Sequence, residues 1–304
     1  MSLVSFQELM ADAERGSYAV GYFESWNLES LLAVADAAER TRSPVILGFS
    51  GIYLPHPDRR VHDSLEPYAA MGLEVCKSLS VPACLLFNES PHRSWVDAAI
   101  NAGFGLVMFS DDRLGESEQV TEIRSLVERA HAAGAAVEAE QDALVGVGGD
   151  LADTHVVDAR QLTDPIEAQS FVEKTGIDAL AVDVGQVHLH GRQIVRLDLD
   201  RLRQLRQVQV PLVLHGASSV DRDDLRAAIA IGVRKINVGS RLKQVYLTAM
   251  RNACVEVAPS SNPYEVIGSG LEQDVLVAGR LAMQHEVEGF MELFGSAGKS
   301  IERV

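Results

Sequence analysis

Cysteine is scarce in this chain of 304 residues: Cys76, Cys84 and Cys254 are its only three, an odd number without CxxC spacing. That excludes a disulfide framework and a thiolate zinc site, and it fits a reducing compartment. No apolar run reaches the roughly 20 residues a membrane-spanning helix needs. The first residues also lack a basic segment leading into an apolar core, so a cytoplasmic protein with no membrane partner is expected. Positive charge is short as well. Lys and Arg number 27 against 43 Asp and Glu, a formal net charge of -16. An acidic surface repels nucleic-acid backbones and anionic lipid, which removes nucleic acid from the expected partners; a small anion would need a local seat of backbone N–H groups. Linkers rich in Pro, Gly or Ser, low-complexity tracts and charge runs are missing too. Nothing in composition marks a domain boundary, and residues 1–304 read as a single domain.

What is present is alternation. Short runs rich in β-branched and other apolar residues occur as 18-YAVGYF-23, 44-PVILGF-49, 82-PACLLF-87, 105-GLVMF-109, 135-AAVEAE-140, 178-DALAV-182, 210-VPLVLH-215 and 233-VRKIN-237. Between them apolar residues fall at helical spacing, as with Leu28, Leu31, Leu32 and Ala35, or Val120, Ile123, Val127 and Ala130. Strands each followed by a helix are the mark of a parallel sheet with right-handed crossovers. Eight such units predict an α/β fold of the closed (β/α)8 barrel type. An open doubly wound sheet would usually show fewer strands and a GxGxxG turn after the first, where this chain has Val20, Gly21 and Tyr22. A further helix is expected from about Ser5 to Arg15, with Ser5 and Glu8 as a capping box, and a helical extension from Leu271 to Leu293.

In such a barrel reactive side chains sit where the strands run out. Those positions hold Glu24, Asn88 and Glu89, Ser110 with Asp111 and Asp112, Glu140, His188, His215 and Asn237. Two imidazoles and a carboxylate delivered by non-adjacent strands form a ligand set for Zn²⁺ with one position left open, and Glu89, His188 and His215 are the trio this pattern selects. The plainer alternative is that each histidine only hydrogen-bonds within its loop. The turns 216-GASS-219 and 237-NVGSR-241 lead into helices, and their glycines, serines and helix-start N–H groups suit a phosphate. Ordinary capping by serine and asparagine would satisfy the same residues.

The segments 16-GSYAVGYF-23, 136-AVEAE-140, 176-GIDALAV-182, 211-PLVLHGAS-218 and 235-KINVGSRL-242 resemble, in order and approximate spacing, the class II fructose- and tagatose-bisphosphate aldolases. The similarity spans nearly the whole chain. It implies a (β/α)8 barrel and reversible aldol cleavage of a small phosphorylated ketose, with zinc polarising the bound carbonyl. It also implies a homo-dimer or homo-tetramer. Carried over by position, the resemblance puts His188 and His215 on the metal, makes Glu140 the glutamate ending the fifth strand, and assigns phosphate contacts to Gly216, Ser218, Asn237, Gly239 and Ser240.

The departures from the family pattern are specific. After the third strand the family has Asp-His and this chain has Asn88-Glu89. An amide cannot give and retrieve a proton as a carboxyl does. A family aspartate is Ser110, a family asparagine is Glu24, and the glycine after the zinc histidine is Leu189. The glycine-rich loop that carries the family's base survives as 146-GVGGD-150, with Asp150 as a stand-in. Two accounts of Asn88-Glu89 compete. Glu89 replaces the missing histidine, giving a two-histidine, one-carboxylate site for zinc or a harder ion such as Mn²⁺; or the metal is gone and Glu89 serves as an acid or base. The expected activity is a metal-dependent aldehyde-lyase acting on a phosphorylated ketose or sugar acid. Its catalytic residues would be Asn88, Glu140 and Asp150, and its metal ligands Glu89, His188 and His215. A non-catalytic sugar-phosphate-binding subunit and an isomerase or epimerase on the same scaffold are the alternatives.

Overall fold

A computed structural model of the chain describes residues 2–141, 162–186 and 194–300. Eight parallel strands close on themselves in sequence order: β1 (Val20–Ser25), β2 (Val45–Ser50), β3 (Ala83–Ser90), β4 (Leu106–Phe109), β5 (Ala136–Glu140), β6 (Ala179–Ala181), β7 (Leu212–Leu214) and β8 (Val233–Val238), with β8 pairing back onto β1. The (β/α)8 barrel predicted from the alternation is therefore the fold. All eight predicted runs are strands, β6 and β7 being the shortest at three residues each.

The helices among the described residues are α1 (Phe6–Gly16), α2 (Leu28–Thr41), α3 (Glu66–Ser78), α4 (Arg93–Ala102), α5 (Glu116–Ala132), α6 (Pro165–Thr175), α7 (Leu199–Leu205), α8 (Arg222–Ile231), α9 (Ser240–Glu256), α10 (Pro263–Val266) and α11 (Val275–Leu293). Short polar side chains start many of them. Ser5 and Glu8 form the predicted capping box on α1, and Asp164, Asp198, Asp221 and Asp274 each accept a backbone N–H at the head of α6, α7, α8 and α11. The C-terminal helix begins at Val275 rather than Leu271, because Asp274 caps it and residues 271–273 belong to the preceding turn. It packs along α2 and α9.

Two apolar layers hold the barrel. Between strands and helices lies the larger one, with Phe23, Leu47, Leu85, Phe87 and Val107 facing outward from the strands. The smaller fills the barrel interior with Val20, Tyr22, Ile46, Cys84, Leu86, Leu106, Ala136, Ala179, Ala181 and Val213, and Phe6, Leu9, Met10 and Ala13 of α1 close it from below. Side chains alternate along a strand, so the residue two places on from an interior one is interior again, one layer higher. Tyr22 is followed on that face by Glu24, Leu86 by Asn88, Ala136 by Glu138 and Glu140, and Val213 by His215. The lower interior is apolar and the upper interior is charged, and the strand period alone delivers this change. Strands β2 and β3 approach closely at Gly48, where a β-carbon would collide with the Leu86 carbonyl oxygen.

The connection after β6 is anchored on its return. Val195 bridges to Val220, and buried Asp224 of α8 accepts bonds from Arg196 Nε and Nη2 at 2.7 and 2.8 Å and from the Leu197 N–H at 2.8 Å. The Arg196 guanidinium, helped by that N–H and opposed by burial, holds the Asp224 carboxyl below its usual range. A carboxyl depressed in the folded state stabilises above its unfolded pKa and loses that contribution as pH falls through the lower folded value. Asp224→Asn is expected to cost about 1–2 kcal/mol at pH 7, because Arg196 is itself largely exposed. Chemical denaturation should show this deficit at neutral pH and its disappearance in strong acid; an equal deficit at both would refute the ionic origin.

Candidate active site

A cavity of about 510 Å³ opens at the C-terminal end of the strands. One wall is aromatic, from Trp26, Phe49, Tyr53 and Tyr68, and the floor and opposite wall are polar, including Tyr22, Asn88, Glu89, His215, Ser218, Asn237 and Ser240.

Beneath the cavity lies a carboxylate with no exposure at all. Glu138 Oε1 sits 2.8 Å from His215 Nε2, and Glu138 Oε2 sits 2.8 Å from Lys235 Nζ. Lys235 also donates to Asn237 Oδ1 at 2.5 Å and stands 5.3 Å from the centre of the Tyr22 ring. Burial opposes the charged form of Glu138, yet Lys235 and His215 hold its carboxyl below the usual range. Burial also lowers the Lys235 ammonium from its ordinary value, against the pull of Glu138. The Tyr22 phenol is pushed well above its usual range, by burial first and then by Glu24, Glu89 and Glu138, so it stays protonated.

On its other side His215 meets the acid from β3. Nδ1 lies 2.6 Å from Glu89 Oε1. Burial works against the imidazolium, but Glu89 and then Glu138 outweigh it and push His215 up to about 10. Glu89 reaches this point by an unusual route. Its neighbour Asn88 already lines the cavity, and strand alternation would turn the next residue outward. Instead Glu89 adopts a left-handed backbone, φ 53°, where the register of β3 against β4 shifts between Phe87 and Ser90. Both consecutive side chains then line the cavity.

The residues singled out from the sequence fall into three groups. Asn88, Glu89, His215, Gly216, Ser218, Asn237, Gly239 and Ser240 all line the cavity. Glu140 is not among them: it is buried on the interior face above Glu138, accepts a hydrogen bond from Ser110 Oγ at 2.6 Å, and is raised to about 7 by burial, with Glu89 adding to the shift and His215 opposing it. Asp111, another of the polar residues ending β4, is held by Arg113 and is not among the cavity residues. His188, Leu189 and Asp150 lie outside the described residues. Among the described residues no three His, Cys, Asp or Glu side chains gather to hold a metal ion; Glu89 and His215, two of the expected trio, stand 2.6 Å apart.

Sequence reasoning missed Glu138 and Lys235. The signal was available: in 136-AVEAE-140 both glutamates lie on one face of the strand, and in 235-KIN-237 the lysine shares a face with the asparagine. A charge in mid-strand on an interior face needs a buried partner, and these two are each other's. It also missed Lys243, which pairs with Glu24 Oε1 at the start of α9 and lies over the Trp26 and Tyr53 rings, 5.3 and 5.4 Å from their centres.

Residues 4–299 match the sequence family described as Fructose-bisphosphate aldolase class-II. A fructose-bisphosphate aldolase from Geobacillus stearothermophilus is 33% identical over 305 residues, covering 99% of this chain and 100% of that protein. The crystal structure of the YdjI aldolase from Escherichia coli K12 superposes with a TM-score of 0.79 at 28% identity, covering 98% of this chain and 100% of that one. The fructose-bisphosphate aldolase of Campylobacter jejuni shares the fold, with a TM-score of 0.77 at 19% identity over 98% of this chain and 96% of its own. With a closed barrel, a charged cavity at the strand ends and a family match along almost the entire sequence, the chain belongs to the class II fructose-bisphosphate aldolase family.

Proposed function

We propose that the protein is an aldolase-type lyase that cleaves, or in reverse forms, a carbon–carbon bond in a phosphorylated ketose or sugar acid, using a divalent metal, Zn or Mn, held by Glu89, His188 and His215. The observation that carries this reading is the fixed imidazole of His215. Its Nε2 is tied to a carboxylate, the partner metal-binding histidines commonly use to set their tautomer, while buried Nδ1 stands 2.6 Å from a carboxylate oxygen at the cavity wall. An imidazole nitrogen and a carboxylate oxygen side by side are donors of the types that zinc or a harder divalent ion takes. When bound, the metal supplies Lewis-acid polarisation of the substrate's ketone oxygen.

The chain's own residues handle position and protons. In cleavage, the hydroxyl two carbons from the ketone gives up its proton, the bond between that carbon and the one beside the ketone breaks, an aldehyde leaves, and the remaining carbon takes a proton. Asn88 holds a substrate oxygen through its amide and leaves proton transfer to other groups. Glu140, raised to about 7 and hydrogen-bonded by Ser110, is matched to proton exchange near neutrality. Asp150 is assigned the proton at the reacting carbon. Trp26, Phe49, Tyr53 and Tyr68 keep one side of the site apolar, which limits water at the reacting centre.

Aldehyde release from a panel of ketoses and sugar acids, phosphorylated at either end or not at all, tests the reaction class; no turnover by metal-loaded protein on any of them refutes it. Untagged protein should carry about one divalent ion per chain, removable by chelation with loss of turnover. Full activity after complete metal removal would eliminate the metal reading. Glu138→Gln should leave the ligands in place yet weaken metal affinity by about 10- to 100-fold, measured by competition with a chelating dye. Unchanged affinity would reduce Glu138 to a purely structural role.

A further inference from the structure

The loops after β7 and β8 have the small residues of an anion seat, but a carboxylate of the protein stands beside it. Barrel closure pairs Tyr22 with Asn237 and Phe23 with Val238, so the next residues on the two strands, Glu24 and Gly239, emerge side by side. A β-carbon on Gly239 would collide with Glu24 Oε2. Gly239 is the N-cap of α9 and has no side chain to cap it, so the Glu24 carboxylate meets the positive end of that helix. Lys243, one turn into α9, pairs with the other carboxylate oxygen. The favourable field that a helix start offers a phosphate is thus answered from within the chain. A phosphate at the same N–H groups would lie beside a carboxylate that is only 18% exposed, where water screens like charges poorly.

The rest of the cavity asks for a different ligand. Tyr22 Oη, Ser25 Oγ, Asn88 Oδ1 and Asn237 Nδ2 have no hydrogen-bond partner among the described residues, and all four residues line the cavity. Each is at most 7% exposed. Buried polar atoms without partners are costly unless a ligand completes them. These four are neutral donors and acceptors, and with the Glu24 carboxylate as a further acceptor they complement hydroxyl groups, which both donate and accept.

We propose that Glu24 determines specificity by closing the anion seat at the start of α9, so that the substrate's ketone end is unphosphorylated and hydroxyl-bearing. The proposal rests on the aldolase reading above and narrows its substrate class: a phosphate or carboxylate on the substrate belongs at the end that leaves as the aldehyde.

Inorganic phosphate is the direct probe. Full-length metal-loaded wild type, Glu24→Gln and Glu24→Asn are titrated with phosphate by calorimetry, with folding of each verified by circular dichroism. Both variants should bind phosphate at least about tenfold more tightly than wild type, as removal of a neighbouring like charge requires. In aldol addition, wild type should prefer dihydroxyacetone to its phosphate ester by kcat/KM, and Glu24→Gln should shift that ratio at least about tenfold toward the ester. Equal phosphate affinity in wild type and variants overturns the proposal, as does sub-millimolar phosphate binding by wild type, a result that needs no variant to fold. If wild type turns over neither ketone, the aldolase reading fails, while the phosphate titration still decides the part played by Glu24.

Discussion

The upper half of the barrel depends on one buried carboxylate shared by an imidazole and an ammonium group. Glu138 comes from β5, His215 follows β7 and Lys235 lies in β8, so the contact ties together strands that do not all pair with one another. Charges withdrawn from water are costly, and removing one partner from a buried set commonly costs about 3–5 kcal/mol. That penalty acts on register. A slip of one residue in β5 would put Glu138 among the outward apolar side chains and leave His215 and Lys235 facing each other without it. The triad therefore fixes the height at which the apolar filling ends and the cavity begins. It also engages Nε2 of His215, so that Nδ1 is the nitrogen presented to Glu89.

Much of this architecture was legible in the sequence because it is local or periodic. The Ser5–Glu8 capping box, the eight strand runs and the polar residues ending them depend on neighbours a few residues apart, and the structure repeats them closely. The parts that were not legible depend on closure. Glu24 and Gly239 are distant in the chain and become neighbours only because β1 hydrogen-bonds to β8. An anion seat can be read from glycines and serines, but a carboxylate brought beside it by another strand cannot. The partner of Glu140 was not legible for a related reason. Its position at the end of β5 is as expected, and its carboxyl accepts a hydrogen bond from Ser110, a contact set by which side chain β4 offers at that height.

The pair Asn88-Glu89 sits at a backbone departure. Glu89 follows the cavity-lining Asn88 directly, and on a regular strand that step would carry its carboxylate to the outer face. The left-handed conformation at Glu89 and the register shift beside it return the carboxylate to the cavity. Such a conformation in a non-glycine residue costs on the order of 1 kcal/mol or more, and it persists where surrounding contacts over-determine it. Here that contact is with His215, itself held from behind by Glu138. The chain of constraint runs from a buried charge in β5, through an imidazole, to a strained acid at the cavity wall. Carboxylates thus stand at two places along the cavity, Glu89 on β3 and Glu24 on β1, within a barrel that the chain shares with its family. Glu24, paired with Lys243, and Glu89, set against His215, therefore hold positions that the apolar layers and the buried triad leave little freedom to alter.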